Sequence, residues 1–251
     1  THRGTLFPYT TLFRSTHELG PGRVGGNRLV DGSDDAAARG ACHTDRMLLQ
    51  SLHRLGAAPT LSPESKFSVI IPTLQRSNLL TEVIAQCARH PDVGEVVVIN
   101  NASNPLPIHD PKVRVLNQAS NIFVNPAWNL GVAEAREPLV AILNDDIQFA
   151  DEALTYAAAL LRAGRFAVVA PDNSCLFAPE TVGTGRPIGH RIASNDNLIF
   201  GTFMCMRKSD YVPVPPELKI WGGDHLQFWE QSRLNAVLIN TPFRTVMNTT
   251  S

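Results

Sequence analysis

The sequence predicts an α/β fold: one domain with a mostly parallel sheet and helices on both faces. Three observations lead there. Short apolar, β-branched runs recur at Phe67–Ile71, Glu95–Ile99, Val113–Leu116, Leu139–Leu143 and Phe166–Ala170. Stretches with apolar residues at helical spacing lie between several of them. Three runs lead at once into polar clusters, Pro72-Thr73, Asn100-Asn101-Ala102-Ser103 and Asn144-Asp145-Asp146. Strands alternating with helices form parallel sheets covered on both sides. Ligands of such sheets collect beyond the carboxyl ends of the strands, and these clusters fall there.

The domain is expected over residues 66–251. Before it, Thr5–Ser15 reads TLFPYTTLFRS, which resembles the translation of a common short-read sequencing adaptor. Residues 1–15 are therefore expected to carry no fold information, and the reading frame is expected to be fragmentary. Residues 16–65 open rich in Gly, Arg and Asp. They read as a poorly structured or partly helical segment, with one helix over Ala36–Leu55 and a linker around Pro59 and Pro63.

Within the domain, Phe67–Ile71 is a buried strand ended by Pro72. Ser77 or Asn78 caps a helix with Leu79, Leu80, Val83, Ile84 and Cys87 on one face, stopped by His90-Pro91. After strands at Glu95–Ile99 and Val113–Leu116, Asn125-Pro126 marks a helix start running to about Ala135. Leu139–Leu143 is the fourth strand. Asp151 caps a helix to Arg162, with Gly164 behind it, and Phe166–Ala170 is the fifth strand. Residues 175–197 read as loop. Leu198–Met206 is strand-like and contains Gly201, and Asp224 sits where the cap of a helix over Leu226–Gln231 falls.

Bulk properties narrow the function. The chain has 251 residues, 43% hydrophobic, with 22 Lys+Arg against 23 Asp+Glu. That balance asks for neither nucleic acid nor an anionic membrane as main partner. No apolar run approaches the roughly 18 residues that cross a bilayer. Cys42, Cys87, Cys175 and Cys205 are widely spaced and form no CxxC pair. This fits a reducing compartment rather than a disulfide framework. The expected location is cytoplasmic, with peripheral contact at the inner face of the membrane. GxxxxGK[ST] is absent, and so is GxGxxG after a strand, which removes P-loop and dinucleotide-binding readings.

Two candidate chemistries remain. Asp145 and Asp146 at a strand end suit a hard, oxygen-seeking cation that bridges phosphates, or else they cap a turn. Asp224, after Gly222-Gly223, is either a helix cap or a carboxylate fixed as a general base. His225, a lone histidine, is either structural or part of that site. Trp221, Phe228 and Trp229 read as core or pocket wall.

In order, these segments resemble the family 2 glycosyltransferases. Phe67–Thr73 is similar to their first strand, Val97–Ser103 to a second-strand motif and Asn121–Gly131 to an Asn/Gly-rich helix start. Leu143–Asp146 is similar to the DXD-like motif, Gly201–Lys208 to an acceptor-side strand and Gly222–Asp224 to the position of the catalytic base. Val246–Ser251 is similar to a late segment, so truncation just after it is expected.

The resemblance implies a GT-A-type (Rossmann-like) domain. It places a nucleotide-diphosphate sugar against Pro72, Thr73, Arg76, Asn100, Asn101, Asn129 and Asp145. Mn²⁺ or Mg²⁺ would sit on Asp146, with Asp224 as catalytic base, and the acceptor would be a glycan or lipid-linked sugar. Two positions depart from the family pattern. Asn100 stands where an Asp that recognises the base is usual, and the metal motif begins with Asn144. A sugar nucleotidyltransferase is the rival enzyme, but Thr73-Leu-Gln-Arg-Ser77 lacks the glycines its first loop needs. A non-catalytic nucleotide-sugar-binding fragment is the other alternative.

Overall fold

The computed structural model describes residues 58–177, 185–194 and 200–245. The readings for residues 1–57, Leu198-Ile199 and Val246–Ser251 lie outside the described residues.

Ten strands and five helices carry the described chain. The strands are β1 (Phe67–Thr73), β2 (Val93–Asn100), β3 (Val113–Asn117), β4 (Leu139–Leu143), β5 (Gln148–Phe149), β6 (Phe166–Pro171), β7 (Gly189–Ile192), β8 (Phe203–Arg207), β9 (Leu234–Ile239) and β10 (Phe243–Arg244). The helices are α1 (Leu80–Arg89), α2 (Val124–Glu134), α3 (Glu152–Arg162), α4 (Asn173–Phe177) and α5 (Gly223–Trp229). Eight strands form one sheet in the order β3-β2-β1-β4-β8-β6-β9-β7, and β5 pairs with β10 in a second, two-stranded sheet.

The large sheet is mixed. β3, β2, β1 and β4 run parallel, as do β6 and β9. β8 enters antiparallel between β4 and β6, and β7 pairs antiparallel with β9. β1, β2, β4, β6 and β8 are buried on both faces, which explains why they read as continuous apolar runs. Val69 and Ile71 point to the face covered by Leu80, Val83 and Ile84 of α1 and Leu154, Ala158 and Leu161 of α3. Ile70, Ile142 and Met204 point to the opposite face, covered by Ala127, Trp128 and Val132 of α2.

Several expected boundaries move. Pro72 does not end β1. The β1–β4 ladder stops at Ile70↔Ile142, so the proline's missing N–H interrupts nothing on that side while β1 pairs on with β2 to Thr73. Asn125 is not the cap of α2. Phe123 holds that place with a positive φ of 68°, and Asn125 lies inside the helix, fully buried. Asp151 precedes α3 without a side-chain cap bond, because its Oδ1 accepts from Gln86. Asp224 does not cap α5 either; Gly222 does, at φ 84°. The expected strand over Leu198–Met206 resolves into a 3-10 turn at Phe200–Thr202 followed by β8. The stretch read as loop carries α4 and β7. β7 was illegible because its four residues, Gly-His-Arg-Ile, show no strand pattern. Among the described residues, no helix is long and apolar enough to cross a membrane.

Candidate active site

From β1 the chain crosses to β2 and β3 on one side, then returns to β4 on the other, so the strand order reverses between β1 and β4. A crevice at the carboxyl ends of such a pair is where open α/β sheets bind ligands. Thr73 ends β1 there, and its hydroxyl donates to Asp145 Oδ2 at 2.6 Å. Asp146 follows, with Oδ1 accepting from the Thr245 hydroxyl at 2.9 Å. The pairing of β10 with β5 carries Thr245 back to this edge. Asp146 Oδ2 is buried and takes no hydrogen bond among the described residues.

A buried carboxylate oxygen without a partner costs on the order of 1–3 kcal/mol or more, and the described residues leave Asp146 Oδ2 in that state. No cluster of three or more His, Cys, Asp or Glu that could hold a metal occurs among the described residues. A cation bound through one or two carboxylates, with phosphate oxygens and waters completing its shell, needs no such cluster. The residues present fit a metal of that kind.

Beside the carboxylates lies an amide network. Asn100 is fully buried at the end of β2. Its Nδ2 donates to Asn117 Oδ1 and Asn104 O, both at 2.8 Å. Its Oδ1 accepts from Gln75 Nε2 at 3.0 Å and from the Ala102 N–H at 3.1 Å. Gln75, at a positive φ of 56°, also donates its own N–H to the Thr73 hydroxyl. The loops after β1 and β2 are thereby locked to each other without a carboxylate. Asn101 accepts from the Ile122 N–H at 3.4 Å, which links this edge to the start of α2.

The expected site residues divide by position. Pro72, Thr73, Asn100, Asn101, Asp145 and Asp146 converge on the one edge, and Arg76 lies on the exposed loop after β1. Asn129 turns elsewhere. Its Oδ1 accepts from the Tyr211 hydroxyl and the Val214 N–H, and its Nδ2 donates to Val214 O. It ties α2 to the 211–214 segment, and burial pushes the Tyr211 phenol up.

Asp224 reaches the same edge through a chain of short contacts. The Asn144 N–H donates to Thr202 O at 3.0 Å. Gly201 precedes Thr202, and a Cβ built on it would lie 3.5 Å from Asp224 Cβ and 3.1 Å from the Trp128 ring. A side chain there would press on Trp128 while meeting Asp224 at ordinary contact distance. The start of α5 is equally tight: a Cβ on Gly223 would meet Asn125 Oδ1 at 2.3 Å. Asn125 Nδ2 meanwhile donates to Leu218 O at 2.8 Å and Trp221 O at 3.4 Å, clamping the loop that delivers Asp224. Gly222 supplies the left-handed turn that side chains rarely adopt. The Asp224 side chain keeps 21% of its surface exposed.

Residues 68–175 match the sequence model described as Glycosyl transferase family 2. This stretch is similar to family 2. The matched segment runs from β1 to the first residues of α4 and so contains Thr73, Asn100, Asn101, Asp145 and Asp146. The fold is GT-A: the crystal structure of GalNAc-T7 with UDP, GalNAc and Mn²⁺ superposes at a TM-score of 0.55 and 13% identity, over 97% of this chain. The chain spans 58% of that protein's length. The mannosyltransferase PcManGT from Pyrobaculum calidifontis, solved with GDP-Man and Mn²⁺, gives 0.48 at 16% identity, covering 75% of this chain and 59% of its own. Residues 1–349 of S. aureus TarS give 0.48 at 20% identity, covering 73% and 59%. No curated protein matches the chain.

Thr245, Gln75 and Asn125 are the contributors the sequence does not announce in these roles. Thr245 depends on a pairing of two-residue strands, too short for any periodicity. Gln75 is betrayed only by its backbone. Asn125 carries a visible Asn-Pro signal that reads as a cap, while its amide serves a loop 93 residues away.

Proposed function

We propose that the chain transfers a sugar from a nucleoside-diphosphate sugar to the hydroxyl of a glycan or lipid-linked acceptor, with inversion at the anomeric carbon. The observation that carries this reading is the placement of Asp224, partly buried, across the Thr202–Gly201 link from the buried oxygen of Asp146 that takes no hydrogen bond among the described residues. One carboxylate is positioned for a charged leaving group and the other for a proton.

Asp146, with Asp145 held by Thr73 beside it, would hold a divalent cation such as Mn²⁺ or Mg²⁺. The cation would supply positive charge against the departing diphosphate. Thr73, Asn101 and the locked Gln75–Asn100 loops would fix the nucleotide. Asp224 takes the proton of the acceptor hydroxyl. The acceptor oxygen bonds to the anomeric carbon on the face opposite the diphosphate, whose C–O bond breaks and carries its electron pair away. No covalent bond to the protein forms. A base so placed contributes roughly 10²–10⁴ in rate.

The test uses UDP-GlcNAc, UDP-GalNAc and GDP-mannose with Mn²⁺ and water as acceptor, measuring release of nucleoside diphosphate. Release of UDP or GDP above that of the Asp224→Asn variant supports the reading. Equal rates in both proteins with every donor contradict it.

A further inference from the structure

The two oxygens of Asp224 are not equivalent. Oδ1 accepts the backbone N–H of His225 at 2.9 Å and lies 3.1 Å from His225 Nδ1. Among the described residues, Oδ2 takes no hydrogen bond. A carboxylate oxygen can only accept, so Nδ1 carries the hydrogen and the neutral ring is the Nδ1–H tautomer. The ring is held in turn: its centroid lies 5.4 Å from that of Trp229 at an interplanar angle of 60°. Residues 225 and 229 stand one turn apart on α5, so they share a face. That face looks outward, with Trp229 61% exposed, while Gly223 and Gln227 turn inward.

We infer that His225 is a positioning residue: it fastens Oδ1 of Asp224 through both its backbone and its ring, and so leaves Oδ2 as the single oxygen aimed at the acceptor proton. The inference rests on Asp224 being the base. A carboxylate on one rotatable bond presents its oxygens in many directions, and catalysis needs one of them in line. Tying the first oxygen fixes the second. Trp229 keeps the imidazole from swinging away into solvent. The ring's contacts among the described residues are with Asp224 and Trp229, so its effect on the proton transfer passes through Asp224.

The role separates from plain support of the helix by two substitutions. His225→Phe keeps a ring against Trp229 but removes the donor. His225→Asn puts an amide N–H at the same distance along the side chain. His225 is partly exposed, so both variants are expected to fold, and melting temperature checks this. On the donor of the panel that is cleaved fastest, His225→Phe lowers kcat about tenfold to a hundredfold with donor KM almost unchanged. His225→Asn recovers kcat to within about threefold of the parent, since an amide N–H replaces the ring N–H as donor. In the Asp224→Asn background, His225→Phe changes kcat by less than about twofold, the signature of two residues acting as one unit. A readout free of turnover runs beside these. The ¹⁵N spectrum of the His225 ring shows Nδ1 protonated in the parent and loses that preference in Asp224→Ala.

A kcat for His225→Phe equal to the parent's, with Asp224→Asn inactive, overturns the positioning role alone. So does a ring protonated only on Nε2. Full turnover in Asp224→Asn overturns the base assignment, and the positioning role falls with it.

Discussion

Where β1, β2 and β4 begin, charges and buried polar groups are matched to one another. Where the same strands end, some are left unmatched. At the first edge Glu95 receives the Ser68 hydroxyl at 2.7 Å, the Arg136 N–H at 2.6 Å and Arg114 Nε at 2.9 Å. Arg162 pairs with Asp92 at 2.7 Å, and Arg207 donates to Leu161 O twice. At the second edge Asp146 Oδ2 and Asn125 Oδ1 are buried without hydrogen-bond partners. Close by, Asp224 keeps 21% of its side chain exposed, and Trp221 and Trp229 face solvent. The same strands thus serve two purposes. One end is closed, and its polar groups stabilise the fold. The other carries polar groups that the described residues leave unsatisfied.

The comparison breaks most readily at Asp224. Asp224→Asn keeps the shape and one acceptor oxygen but loses basicity. Turnover should fall by roughly 10²–10⁴, with melting temperature within about 1 °C of the parent. Because Gly222 rather than Asp224 caps α5, no capping loss confuses the result. Steady-state rates and a thermal melt on the same preparation decide it.

Gly223→Ala should have the next largest effect. The added methyl would run into Asn125 Oδ1, so either the clamp or the start of α5 must shift. Overpacking of this kind costs about 1–3 kcal/mol, and turnover should drop more than the melt alone explains because Asp224 moves with the helix. Chemical denaturation and kcat measured together would show it. A variant with parental turnover would mean the clamp does not position Asp224.

The closed edge gives a prediction about pH. Burial alone raises the Glu95 carboxyl, but the bonds from Ser68, Arg136 and Arg114 outweigh it and hold it below the ordinary glutamate range. A carboxyl lowered on folding adds stability that is fully present above its unfolded value. That stability is lost as pH falls through the folded one. Thermal stability should therefore decline on acidification through and below the ordinary glutamate range. Glu95→Gln should flatten that decline and cost about 1–3 kcal/mol at neutral pH, since Arg114 loses its charged partner. Parallel pH profiles of the two melts would remove Glu95 from the account. Catalysis at the other edge should be untouched by this substitution.

The smallest effect is expected from deleting residues 1–15. Their sequence resembles a translated adaptor, and the melting temperature should stay within error. A large fall would show that they pack against the domain.

The central strands and helices were legible because their burial on both faces writes long apolar runs that no other arrangement needs. The polar strand ends were legible for the same reason, as Thr73, Asn100, Asp145 and Asp146 each break such a run abruptly. Pairing across the chain was not. β8 gives no local sign that it runs antiparallel between β4 and β6, and β7 and β10 are too short for periodicity. Asp224 announced itself through two glycines, but the same letters serve a cap. The structure gives the cap position to the left-handed Gly222. Asn129 is held through its amide by Tyr211 and Val214, a pairing across the chain that its neighbours in sequence do not show.

The central claim is that the unmatched edge is a nucleotide-sugar site completed by a metal on Asp146. Crystals soaked with UDP and MnCl₂, with diffraction collected at the manganese absorption edge, test it most directly. An anomalous peak within bonding distance of Asp146 Oδ2 and of the UDP phosphates, lost together with UDP density in Asp146→Ala, is the predicted result. Manganese bound elsewhere, or UDP in the same place with the same occupancy in Asp146→Ala, would contradict it.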